Sequence, residues 1–149
     1  MKKEKSNIEY ILYAINQAID AENFGFQRNV CCRNLKIAIS HYWQNKTLGL
    51  HGQAQKKRIL RSKEARELPL NKCRVEHSVP QMFLVNELMD MKNITKEKIE
   101  IFLTRYFCVR LISINEDIKL NASGFRSKMP QDWDKKDLLI RYKKVGIEF

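Results

Sequence analysis

The sequence predicts a helix-dominated α+β domain, in which helical hairpins pack on a small two-stranded antiparallel sheet. Three observations predict it. Apolar residues recur at helical spacing through most of the chain. Only two short runs are rich in β-branched and extended-favouring residues, about Lys72 to Val79 and Phe107 to Ile114. At 149 residues with 44% hydrophobic and 30% charged residues, the composition is that of one globular domain and not of a disordered chain. The expected organisation is therefore a single domain, 1–149, with an N-terminal helical hairpin over 1–52 and a basic helix plus a β-containing part over 53–149.

Taken in order, Ile8, Ile11, Leu12, Ile15, Ala18 and Ile19 form one helical stripe, stopped near Asn23 and Gly25. A second helix is expected from about Arg28 to Trp43 through Val30, Leu35, Ile37, Ala38 and Ile39, making a hairpin with the first. His41 falls at its end, where a positive end of an imidazole suits the helix dipole. Gly49 and Gly52 break the pattern and put His51 on a loop. Lys56 to Arg74 is a strongly basic segment, expected to be helical as far as Pro69. Lys56, Lys57, Arg58, Arg61, Lys63, Arg66, Lys72 and Arg74 stand there against Glu64 and Glu67, a local charge of about +6. Lys57, Arg61 and Glu64 would share a face of it, and Pro69 would end it.

The first strand follows, with Cys73, Val75 and His77 on one side and Arg74 and Glu76 on the other. Pro80 opens a helix reaching about Met91, and Thr95 caps another through Ile99, Phe102, Leu103 and Tyr106. After the second strand, Asn115, Glu116 and Asp117 are expected to cap a short helix to Asn121, closed by Gly124. A last helix is expected over about Asp134 to Val145. Phe125 and Trp133 are read chiefly as anchors for it, with a stacking clamp for a sugar-phosphate strand as the alternative, alongside Arg126 and Lys128.

A formal charge of +11, from 28 Lys and Arg against 17 Asp and Glu, favours a polyanionic partner. Nucleic acid is the leading candidate, DNA ahead of RNA, and an acidic protein surface is the competitor. Lys56, Lys57, Arg58, Arg61, Lys63, Arg66, Arg74, Arg126 and Lys128 are the candidate phosphate contacts. The four cysteines, Cys31, Cys32, Cys73 and Cys108, include no CxxC pair, which disfavours a zinc knuckle; without a secretory signal they fit a reducing cytoplasm. No apolar run reaches the roughly 20 residues that a membrane span needs.

Glu76-His77 closes the first strand and follows the basic segment, a carboxylate beside one of three histidines. A strand-borne acid-His pair, a second strand, and then a helix bearing Asn115, Asp117 and Asn121 resemble the His-Me finger, or HNH, nucleases over about Arg74 to Asn121. The resemblance implies Glu76 as a metal ligand, His77 as general base, and Asp117 or Asn121 as the second ligand of Mg²⁺ or Mn²⁺. The implied function is metal-dependent phosphodiester cleavage. The chain departs from the pattern in having no histidine after His77, no paired CxxC knuckles and two helices between the strands. The alternative is a non-enzymatic basic protein, of phage or mobile-element type, that binds nucleic acid or inhibits a complex that handles it.

Overall fold

The computed structural model describes residues 7–47 and 56–149; the loop expected around His51 lies outside them. The chain divides into two compact units, one of residues 1–49 and 84–105, the other of 50–83 and 106–149. The expected cut at residue 52 therefore misses that residues 84–105 group with the N-terminal hairpin. The helical content with one antiparallel pair of strands is as the sequence predicts.

The first unit holds α1 (Asn7–Phe24), α2 (Arg28–Cys31) and α3 (Arg33–Thr47). The predicted stripe of α1 is buried at Ile11, Ala14, Ile15 and Ala18, and Gly25 ends the helix at φ +115°, which glycine adopts without a Cβ penalty. The second predicted helix is two. Cys32 interrupts it and is buried, while Val30 and Ile37, expected on the inner stripe, are exposed; Leu35, Ala38 and Ile39 form the buried face. Arg28 grips both carboxylate oxygens of Glu22 and those of Asp90 at 2.7–3.0 Å. These two carboxylates fix the start of α2, and hold the Arg28 guanidinium well above its ordinary pKa. His41 is exposed on α3.

The second unit begins where a basic helix was expected, and here the structure differs. Lys56 is helical, residues 57–59 turn, Leu60 to Ser62 is extended, and the helix resumes for a single turn in α4 (Lys63–Arg66). Lys57, Arg61 and Glu64 consequently share no helical face. The reason is backbone satisfaction: Leu111 donates its N–H to the Leu60 carbonyl and accepts from Ser62 N–H, each at 2.9 Å. Arg61 thus pairs in parallel with Leu111. Ser62 then restarts the chain as an N-cap, its hydroxyl accepting from Ala65 N–H at 3.0 Å.

A short 3-10 turn, Leu70–Lys72, leads into β1 (Cys73–His77), which pairs antiparallel with β2 (Val109–Ser113): Val75 lies opposite Leu111, Glu76 opposite Arg110 and His77 opposite Val109. Between them run α5 (Gln81–Met89) and α6 (Lys96–Tyr106), the latter capped by Thr95 as predicted, with Lys98 N–H at 3.2 Å from its hydroxyl. After β2 comes α7 (Ile114–Ala122). Its N-cap is Ser113, not the Asn115–Asp117 turn expected: Ser113 and Glu116 form a reciprocal capping box. The two caps interlock. Ser62 Oγ donates to Glu116 at 2.5 Å, and Ser113 Oγ donates to Glu64 at 2.7 Å.

The last helix, α8 (Ile140–Lys144), is shorter than the sequence predicts because Asp134 accepts from Lys136 and Asp137 N–H and holds the preceding segment in turns. Tyr142 of α8 joins Ile112, Leu120 and Ile147 in the core, with Phe125 packed on them. Trp133 packs edge-on to Phe83 and Tyr106. Both aromatics therefore anchor the segment that leads into α8. Among the described residues no helix is long and apolar enough to cross a membrane.

Candidate functional site

One cavity of about 650 Å³ opens on the second unit, lined by β1 at Arg74 and Glu76, by Ile114, Asp117 and Asn121 of α7, and by Lys56, Asn71 and Arg126, with Cys73 and Val75 also on its wall. The spacing of α7 explains its contribution: positions 114, 117 and 121 fall three and four apart and so form one stripe. Gly124, at φ +80°, ends that helix, and Phe125, fixed in the core, sets Arg126 at the cavity.

The three residues proposed as metal ligands, Glu76, Asp117 and Asn121, thus share one cavity with the cations Lys56, Arg74 and Arg126. His77 does not join them. Alternation along β1 turns its ring to the face opposite Glu76, where it meets Phe107 edge-on at 5.5 Å and 85°. Burial, reinforced by the positive charge of Arg141, lowers its pKa from 6.5 to about 4. The ring is neutral at pH 7 but a weak base, far from the value near neutrality that suits proton abstraction. The assignment of His77 as general base beside these acids is therefore corrected on position.

Arg141, unremarked in the sequence, is what holds Glu76. It is fully buried (0% exposed), with Nη2 donating to Glu76 Oε1 at 2.6 Å and to the His77 carbonyl. Nε donates to the Ser78 carbonyl at 3.1 Å, and Nη1 to the carbonyls of Phe125 and Arg126. One guanidinium thereby ties the end of β1 to the segment carrying Arg126, two walls of the cavity. Burial raises the Glu76 pKa above its ordinary value, against the pull of Arg141 and with the help of nearby Asp117. Asp117 lies 3.4 Å from Arg74 Nε. A long-range partner such as Arg141 leaves no local signal; only its place in an Arg-Tyr pair on the final apolar stripe singles it out.

Each acid is thus engaged by a guanidinium, and among the described residues no three His, Cys, Asp or Glu side chains converge to hold a metal ion. These guanidinium groups compete with a hard cation such as Mg²⁺ or Mn²⁺ for the carboxylate oxygens of Glu76 and Asp117. The proposed phosphate contacts divide. Lys57, Arg58, Arg66, Arg74, Arg126 and Lys128 are exposed; Arg61 is half-buried beside β2, and Lys63 pairs with Glu148. All four cysteines are thiols and none is disulfide-bonded.

The depressed His77 pKa makes stability pH-dependent. The unfolded chain binds a proton at His77 near pH 6.5 and the folded protein near pH 4, so His77 erodes stability as pH falls between those values and adds nothing above them. The expected loss is at most about 3 kcal/mol. Urea midpoints of wild type and His77→Phe, followed from pH 7 to pH 4, should diverge in favour of the variant; parallel curves would show that the imidazole stays charged in the folded state.

Comparison with family models, with curated proteins and with solved structures gives no match, so the reading of the site rests on its geometry.

Proposed function

We propose that this protein binds nucleic acid without cleaving it, through the basic surface of its second unit. The observation that carries the reading is the convergence of Lys56, Arg74 and Arg126, from three separate segments, on one polar cavity of a unit that also exposes Lys57, Arg58 and Arg66. Phosphate contact by Lys and Arg releases counterions and supplies affinity without catalytic groups. The cleavage that the nuclease resemblance implies would use a base and a metal held by the same acids, and His77 faces away from acids that two guanidinium groups already hold. The four thiols suit a reducing compartment such as the cytoplasm.

Fluorescence anisotropy with a labelled oligonucleotide, titrated across salt concentrations, tests this. Binding should weaken steeply with salt. Replacing Lys57, Arg58 and Arg66 together by Ala should flatten the log–log slope by about 2–3, near 0.7–0.9 per contact. Affinity indifferent to salt would favour an apolar protein interface instead, and shortening of the oligonucleotide with Mg²⁺ or Mn²⁺ would restore the nuclease reading.

A further inference from the structure

The edge of β1 offers more than charge. Leu111 spends both its N–H and its carbonyl on Leu60 and Ser62, pointing them away from β1. Val75, opposite Leu111, therefore belongs to a non-hydrogen-bonded pair, and its own N–H and carbonyl point outward at the other edge of β1. The neighbouring outward carbonyls are occupied: Lys56 Nζ lies 3.5 Å from that of Cys73, and Arg141 donates to that of His77. Val75 lines the cavity and presents to it one backbone donor and one acceptor side by side.

We infer that this cavity receives a single nucleotide of a nucleic-acid strand, its base edge on the Val75 backbone and its phosphate among Lys56, Arg74 and Arg126. The inference rests on the nucleic-acid reading above and deepens it. A base edge sets a donor beside an acceptor, the pattern that the Val75 pair complements, and a base outside the stack is read by hydrogen bonds of this kind. Asn71 and Asn121 add amides that can give and accept, and Ile114 gives the ring an apolar surface. A volume of about 650 Å³ is that of a small-ligand pocket, which admits one nucleotide and no duplex.

The test uses 5′-deoxyadenylate as probe, with deoxyadenosine and inorganic phosphate as controls, read by backbone amide shifts of the whole chain. Deoxyadenylate should shift residues of β1 and α7, and should do so more strongly than either control. Val75→Pro removes the outward N–H while sparing the ladder to β2, a substitution that an edge position tolerates; it should weaken deoxyadenylate binding at least tenfold. Arg126→Glu, on an exposed side chain, should do the same and serves if the proline variant does not fold. A short single strand should bind more tightly than the mononucleotide, which identifies a strand and not a free nucleotide as the source. Equal shifts from inorganic phosphate, tighter binding of the mononucleotide than of the strand, or wild-type affinity in the variants would overturn the inference. Strand binding that persists in the wild type without any deoxyadenylate shift defeats the cavity while sparing the surface reading; loss of both defeats both.

Discussion

Replacing Arg141 by Met is expected to destabilise the protein by about 3–5 kcal/mol, the range found when one partner of a buried ion pair is removed. The physical cause is twofold. Glu76 loses the guanidinium that compensates its partial burial, and the carbonyls of His77, Ser78, Phe125 and Arg126 lose a shared donor. Against a typical stability of about 5–15 kcal/mol, this is a large share. Arg141→Lys keeps the charge but cannot present five donors in a planar fork, so it should recover only part of the loss. Glu76→Gln should be milder than either, because its amide oxygen still accepts from Arg141. Denaturant midpoints of the three variants give the order directly. A Met variant within 1 kcal/mol of wild type would mean that water or a rearranged loop replaces the guanidinium at little cost.

The second large effect concerns binding. Arg74→Gln with Arg126→Glu removes two cations from the cavity and adds a repulsive charge, while leaving Lys57, Arg58 and Arg66 untouched. Both side chains are exposed, and such substitutions typically shift stability by no more than about 0.5 kcal/mol. Affinity for a single-stranded oligonucleotide at low salt should fall by about 100-fold, and the salt slope by about 1–2. Anisotropy measured beside a thermal melt separates lost contacts from lost fold. Unchanged affinity with a normal melt would remove the cavity from the interface.

Much of the fold could be read from local pattern. The stripe of α1, the Thr95 cap and the two short strands each have a cause within a few residues. So does the stripe 114, 117, 121, which brings Asp117 and Asn121 to the same side once α7 is recognised. The misreadings have a common origin in distant backbone demands. Periodicity favoured a helix through Arg61, but the Leu111 peptide groups needed partners and took them from Leu60 and Ser62. The start of α7 was placed at Asn115 because its side chain can cap, while Ser113 had the advantage of Glu116 three residues on. The acid-His pair was read as one constellation, although strand alternation already separates adjacent side chains. Nothing near Glu76 in the chain points to Arg141, 65 residues away, since an ion pair of that kind is fixed by packing alone.

The interlocked caps tie α4 to α7, one wall of the cavity. Ser62, Glu64, Ser113 and Glu116 join the starts of α4 and α7 through buried and half-buried hydrogen bonds, so the protein's own contacts hold the stripe of α7 against the strand pair. A preformed wall lowers the ordering cost of binding.

The most direct test of the central claim, that nucleic acid seats itself on the cation-lined cavity of the second unit, is a backbone amide shift map with a short single strand added at low salt. Shifts are expected at Arg74 to Glu76, Ile114 to Asn121 and Arg126, and should vanish as salt is raised. Shifts confined to α1, α2 and α3, with none around β1 and α7, would contradict it.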